Sequence, residues 1–342
     1  MRFFLGISLG VLACLLVLEV FLRFLPVNSG VRMEATSVEK PFSRYLPHQQ
    51  YVYSFGWGLG TAKSGVTNSN GFTNSPDSSE KGGILVVGDS YIESFMLDFP
   101  ETIQGHLAEK LPNKVQTVSA SGNGLADSLQ ILKYFTPQIK PSVVVLFVEP
   151  FDLSLLLEKP AVGHNGFVVT NETQVSVIHS PYTESPNKEL LLRSALIRYL
   201  YYNLKFPDWA SKALSSLGGK KPEFVDPTDK LEPKKQLALN YYFSELSTLG
   251  HTNGFRVVFL LDGDRKAIYS KSRDQSWNAV DRELFLKLAL KHQLDVVDMQ
   301  PDFQHDWDQK HERMDFLPMD GHWNPVAHRL AADKIMRLLD IK

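Results

Sequence analysis

Two short stretches combine residue types that could carry out nucleophilic chemistry. The first is Gly88-Asp89-Ser90, directly after the apolar run Ile84 to Val87. A hydroxyl there stands where the carboxyl end of a buried strand turns towards a helix, which is where open α/β sheets bind ligands. The simpler reading is that Asp89 or Ser90 only caps that helix. The second stretch is Asp320-Gly321-His322, within Met319 to Pro325 and just ahead of an amphipathic run that reaches Leu339. A serine hydroxyl is a poor nucleophile until a base takes its proton, and an imidazole held by a carboxylate is the usual base. Gly321 permits a tight turn that brings the Asp320 carboxylate to one ring nitrogen of His322 and leaves the other for Ser90. The two stretches together predict Ser90 as nucleophile, His322 as base and Asp320 as the acid that orients it. The alternative for the second stretch is that Asp320 and Asn324 merely cap the last helix.

Strands and helices in alternation would have to position these groups. Gly82 and Gly83 break what precedes, and Ile84 to Val87 reads as a fully buried strand. Thr102 to Leu111 reads as a helix, Val115 to Val118 as a strand ending in Ser119 to Gly124, and Leu125 to Phe135 as a helix closed by Pro137. Further strands are expected at Val143 to Val148, Phe255 to Leu261 and Leu294 to Val297, with helices at Pro233 to Leu249 and Asp281 to His292. Asn324 is the expected N-cap of the closing helix, with Pro325 at its first position. Buried strands separated by helices predict a mostly parallel, doubly wound five-stranded sheet.

The third strand is followed by an insertion at about 153–232, which would hang over the strand ends as a lid or be an inert elaboration. Within it, Phe167 to Ile178 reads as a hairpin around Asn171, Glu189 to Tyr202 as a helix, and Gly218 to Lys234 as a polar crossing. Asn171-Glu172-Thr173 matches a glycosylation sequon by pattern alone.

At the amino end, Phe3 to Leu25 is apolar apart from Glu19 and Arg23, and about 20 helical residues span a bilayer core of roughly 30 Å. Residues 1–25 are therefore expected to be an uncleaved transmembrane signal anchor. Arg2 favours an amino end inside and the remaining chain outside. Glu19 could pair with Arg23 at i,i+4 or meet a partner helix. Residues 26–81, rich in Ser, Asn, Gly and Thr between aromatic stretches, read as a linker followed by a small extended subdomain packed on the main domain.

Formal charge is -2, from 36 basic and 38 acidic residues interspersed along the chain, which leaves no electrostatic footprint for nucleic acid. Cys14 is the single cysteine, so the chain has no internal disulfide and no multi-cysteine metal site. No cofactor is expected. His305, Asp306, Asp308 and His311 read as a solvated loop, and Asp89, Asp320 and His322 lack the further ligands a stable metal site would need.

Gly88-Asp89-Ser90 after a strand, Gly122 after the next, and Asp320-Gly321-His322 before a terminal helix together resemble the SGNH/GDSL hydrolase superfamily. The resemblance spans residues 82–342 apart from much of the insertion. It implies a three-layer α/β/α flavodoxin-like fold, a Ser90-His322-Asp320 triad, and an oxyanion hole formed by the backbone N–H groups of Ser90 and Gly122. In place of the family's third-block Gly-x-Asn-Asp stand Glu149-Pro150-Phe151-Asp152, so Phe151 occupies the asparagine position and Asn123 or an insertion residue becomes the candidate replacement donor. The acid also lies two residues before the histidine, where the common form would place it at Met319. That Asp-x-His-Trp form is similar to alginate O-acetyltransferases and other exopolysaccharide-modifying relatives. The resemblance implies a serine esterase acting on O-acyl, chiefly O-acetyl, esters of an extracytoplasmic bacterial glycan. The alternatives are a polysaccharide O-acetyltransferase with the same triad and an inactive glycan-binding or assembly protein. It further implies a single-pass inner-membrane protein facing the periplasm or exterior, with polysaccharide-biosynthesis membrane proteins as potential partners.

Overall fold

The apolar runs assigned to strands assemble into one parallel sheet in the computed structural model, which describes residues 2–77, 80–171, 173–207, 233–270, 276–317 and 320–341. In chain order the strands are β1 (Gln50–Phe55), β2 (Gly60–Val66), β3 (Ile84–Gly88), β4 (Val115–Ser119), β5 (Val143–Val148), β6 (Asn165–Thr170), β7 (Gln174–His179), β8 (Arg256–Leu261), β9 (Asp295–Asp298), β10 (Asp315–Phe316) and β11 (Asp320–Trp323). The helices are α1 (Arg2–Leu22), α2 (Ser90–Glu93), α3 (Ile103–Lys110), α4 (Leu125–Ile139), α5 (Pro150–Ser154), α6 (Pro186–Leu192), α7 (Ala195–Arg198), α8 (Pro233–Asn253), α9 (Arg265–Tyr269), α10 (Ala279–Lys291), α11 (Gln300–Lys310) and α12 (Pro325–Leu338).

Five strands pair in the order β4-β3-β5-β8-β9, every neighbour parallel. Counted along the sheet's own strands this is the 2-1-3-4-5 flavodoxin-like order, whose topological switch lies between the first and third strands. Here that point lies between β3 and β5. Because side chains alternate across a strand, successive strand residues feed two cores. Leu85, Val87, Leu146 and Phe259 pack against α4, α8 and α10 on one face. Ile84, Val86, Val145 and Leu260 pack against α3, α11 and α12 on the other. The result is a three-layer α/β/α arrangement in which strand after strand is buried on both sides, as near-continuous aliphatic runs require.

The amino-terminal segment joins this core. Phe42 and Phe72 are fully buried in the first core, where their rings lie 5.1 and 5.7 Å from that of Phe135. β1 and β2 form an antiparallel hairpin with a bulge between Tyr53 and Phe55.

Several expectations need correction. α4 does not stop before Pro137 but continues to Ile139. Proline in the last turn forfeits only the one N–H that would have bonded back one turn, and the helix closes on Lys140 in the left-handed region, with its N–H on the Thr136 carbonyl at 2.9 Å. His305, Asp306 and Asp308 lie on α11, not in a loop, and His311 is its left-handed C-cap. Pro301 opens that helix, and Phe303 and Trp307, one turn apart, face the second core. The expected helix Glu189 to Tyr202 is divided: α6 ends at Leu192, and Ser194 caps α7 by accepting from the Ile197 N–H at 3.2 Å before a π-helical turn over Tyr199–Asn203. The hairpin around Asn171 forms as expected, with Asn171 at φ 49. Glu172 of the sequon, residues 218–232 of the polar crossing and Met319 lie outside the described residues.

Candidate active site

β3 delivers Ser90 at the switch point. Its last residue, Gly88, has no room for a side chain, since a Cβ there would come within 2.4 Å of Ile92 Cγ1. The chain then turns at Asp89, whose carboxylate accepts the Tyr91 N–H at 2.9 Å and caps α2. The capping reading of this triplet therefore holds for Asp89 while leaving Ser90 at the first helical position with its side chain outward.

β11 carries the other two groups. The Ser90 Oγ lies 2.8 Å from His322 Nε2, and His322 Nδ1 is hydrogen-bonded to Asp320 Oδ1. Asp320 also accepts the backbone N–H of His322 at 3.1 Å, which closes the tight turn around Gly321. An ionised carboxylate only accepts, so Nδ1 is the protonated nitrogen and Nε2 presents a lone pair to the serine hydroxyl. Burial would raise the Asp320 pKa, but hydrogen bonds from His322 and from Tyr53 outweigh it and take the carboxyl down to about 2. The Tyr53 hydroxyl, 3.0 Å from Oδ2, comes from the bulge of the β1–β2 hairpin.

Ser90, Gly122 and Asn123 line a cavity of about 350 Å³ together with Phe151 and His164. Gly122 sits at φ +83, which favours glycine. Among the described residues, neither the N–H of Ser90 nor that of Gly122 has an intramolecular acceptor, so both are available to a developing oxyanion. Asn123 lines the cavity, but its Nδ2 donates to the Gly88 carbonyl at 3.2 Å. Phe151 is 63% exposed and lines the cavity with carbon, where the resemblance expects an amide. Glu149, at the end of β5, and Asp89 bring two buried carboxyls together behind Ser90. Burial pushes both carboxyls up, and the neighbouring acidic groups Asp89, Asp152 and Asp262 push Glu149 further.

Behind the site one buried guanidinium joins both loops. Arg265, just after the carboxyl end of β8, donates to the Gly321 carbonyl at 2.5 Å and to the Tyr91 hydroxyl at 2.8 Å. Its charge is matched by Asp262 at 2.9 Å, and Asp262 in turn accepts the indole N–H of the fully buried Trp323 at 2.9 Å. The Tyr91 ring packs 4.9 Å from the His322 ring, so the residues after the serine and around the histidine are held as one unit. Sequence reading singled out neither Tyr53 nor Arg265. Arg265 carried a usable signal, a charged pair just past a strand end, whereas Tyr53 carried none. Among the described residues no group of three His, Cys, Asp or Glu side chains is placed to hold a metal ion.

No family model and no curated protein matches this sequence. Solved structures similar to the chain include an alpha/beta hydrolase enzyme from the metagenome of Lake Arreo, at 13% identity and a TM-score of 0.43, covering 77% of this chain and 97% of that one. A member of the lipolytic G-D-S-L family from Veillonella parvula is similar at 12% identity and a TM-score of 0.37, covering 75% and 98%. An acetyl-xylooligosaccharide esterase from Geobacillus stearmophilus is similar at 13% identity and a TM-score of 0.40, covering 78% and 96%.

Proposed function

We propose that this chain is a serine esterase of the SGNH type, anchored in a bacterial inner membrane with its catalytic part outside the cytoplasm, that removes O-acetyl groups from a glycan. The observation that carries the catalytic part is the unbroken series from Ser90 Oγ through the His322 ring to Asp320, opening onto a cavity beside two unpaired backbone N–H groups. In the first half-reaction Ser90 Oγ attacks the acyl carbonyl while its proton passes to His322 Nε2. The oxyanion turns towards the N–H groups of Ser90 and Gly122, and its collapse expels the sugar alkoxide, which takes the proton from His322. Water then attacks the acyl-serine, again giving its proton to His322, and the second collapse releases the acid and restores Ser90. A sugar hydroxyl in place of that water would make the same residues an acyltransferase. A Ser90 hydroxyl already aimed at an imidazole lone pair favours an enzyme over an inactive scaffold.

The membrane reading rests on α1, whose Phe3–Leu22 stretch is long and apolar enough to cross a bilayer. Its Glu19 pairs with Arg23 and also accepts from the Ser194 hydroxyl and the N–H groups of Ala195 and Leu196, which fixes the end of the helix against α7. Exposed Phe24, Leu190, Leu191, Tyr201 and Phe206 lie on the segments that flank this contact, as a surface resting against lipid headgroups would require. Alkaline carbonate washing should leave the full chain in the membrane pellet, and release by that wash would remove the anchor.

Acyl release from an O-acetylated oligosaccharide by the detergent-solubilised chain tests the catalytic proposal. Ser90→Ala should lower the rate by about 10³-fold or more. Acyl appearing on a second oligosaccharide instead of in solution would identify a transferase, and equal rates for wild type and variant would remove the covalent mechanism.

A further inference from the structure

A second aspartate–histidine pair lines the same cavity. His164, in the insertion ahead of β6, has Nδ1 3.3 Å from Asp127 Oδ2, and both line the cavity that holds Ser90. Asp127 is 1% exposed and is surrounded by donors: the Gly124 N–H reaches Oδ2 at 3.0 Å, and the Asn165 N–H and side-chain amide both reach Oδ1 at 2.8 Å. A carboxylate so supplied accepts at both oxygens, so the hydrogen on His164 sits on Nδ1. With the hydrogen there, Nε2 is the ring nitrogen left to accept.

The position of that acceptor is set by Gly122. A Cβ built on Gly122 would lie 3.3 Å from both Cε1 and Nε2 of His164, so this ring edge lies against the turn that offers its N–H to the oxyanion. Among the described residues no protein donor occupies Nε2, and the His164 side chain, 13% exposed, lines the cavity that holds Ser90. The triad does not use this group: His322 already supplies the base for Ser90. A hydrogen-bond acceptor fixed in tautomer, beside the oxyanion turn, matches a donor on the substrate close to the ester.

We infer that His164 Nε2 accepts a hydrogen bond from a free hydroxyl on the alcohol part of the ester, making His164 and Asp127 a subsite for a hydroxyl neighbouring the acylated carbon. The inference rests on the esterase reading and adds to it the feature the site would read on the glycan: a free hydroxyl on the carbon next to the acylated one. Asp127 positions the ring and Asn165 holds Asp127; of the three, His164 alone touches the substrate.

The experiment separates binding from turnover. The full chain carrying Ser90→Ala, in detergent, is titrated calorimetrically with a mono-O-acetylated methyl glycoside bearing a free vicinal hydroxyl, and with the analogue in which hydrogen replaces that hydroxyl. The hydroxyl should tighten binding by about tenfold, the worth of one ordinary hydrogen bond in a desolvated site. Adding His164→Ala should erase the difference between the two ligands, and adding His164→Gln, whose amide oxygen extends in the same direction, should recover part of it. A role confined to packing would weaken both ligands alike, so an unchanged ratio in the His164→Ala chain overturns the inference, as does failure of the hydroxyl-bearing glycoside to bind. Binding that follows this pattern while the chain with Ser90 intact releases no acid would leave the subsite standing and overturn the esterase reading alone.

Discussion

Asp320 is the residue at which local and distant parts of the chain meet. His322 is two positions away, and its contact with Asp320 follows from one tight turn, which is why that pair could be read from the sequence. Tyr53 is separated from Asp320 by 267 positions, and an aromatic in an extended, turn-rich segment has no pattern that points to a carboxylate so far along the chain. Burial and the Asp320 charge both push the Tyr53 pKa up, so the phenol is a permanent donor. Tyr53→Phe should lower kcat by about tenfold with KM nearly unchanged, because it loosens the group that orients the base without touching the cavity wall. It should also alter acid stability. The folded-state pKa of Asp320, about 2, lies below the ordinary 3.8, so its stabilising contribution is complete above 3.8 and is lost as pH falls through 2. Removing the phenol raises the folded value and narrows that window. Thermal melts between pH 2 and 5 should therefore show the variant losing stability at higher pH than wild type, and superimposable curves would refute the role given to Tyr53.

At the scale of elements, the site is assembled from the ends of β3 and β8 and from the short β11. Arg265 connects them, and its partners Asp262 and Asp315 are almost wholly buried. Arg265→Ala would strand the Asp262 carboxylate without its cation, a change that costs about 3–5 kcal/mol for buried pairs. The expected result is a clear drop in the denaturant midpoint together with lost acyl release, measured on one preparation. Arg265→Lys should recover little, since a point charge cannot serve the Gly321 carbonyl and the Tyr91 hydroxyl together. An unchanged midpoint for the alanine variant would show that the two loops are held by other contacts. The strands themselves were readable because each is a short aliphatic run bounded by breakers. The helix α11 was not, since His305, Asp306 and Asp308 look solvated one by one, and only the second core reveals that Phe303 and Trp307 face inward. Pro137 misled for a related reason: its penalty depends on how many turns follow it, and here the helix ends two residues later, at Ile139, with Lys140 as its C-cap.

For the molecule as a whole, the 2-1-3-4-5 strand order places the first strand's carboxyl end at the switch point, and the residue there is a serine. The same topology brings Gly122 to one side of Ser90 and the insertion, with His164, over the cavity. The sequence carries the triad because its members lie in two local motifs. It does not carry what surrounds the triad, because Tyr53, Arg265 and His164 reach the site only through packing among distant segments. Asn123 shows the same limit: nothing in the sequence indicates that its side-chain amide ties the Gly122 turn to the Gly88 carbonyl. On the proposed mechanism Ser90 is a nucleophile activated by His322. Intact-mass measurement of the detergent-solubilised full chain after exposure to a serine-reactive phosphonate tests it most directly. One equivalent of label should form, mapped to Ser90, lost in Ser90→Ala and formed about 10³-fold more slowly in His322→Ala. A native chain that takes up no label, or a Ser90→Ala chain labelled as readily as wild type, would contradict it.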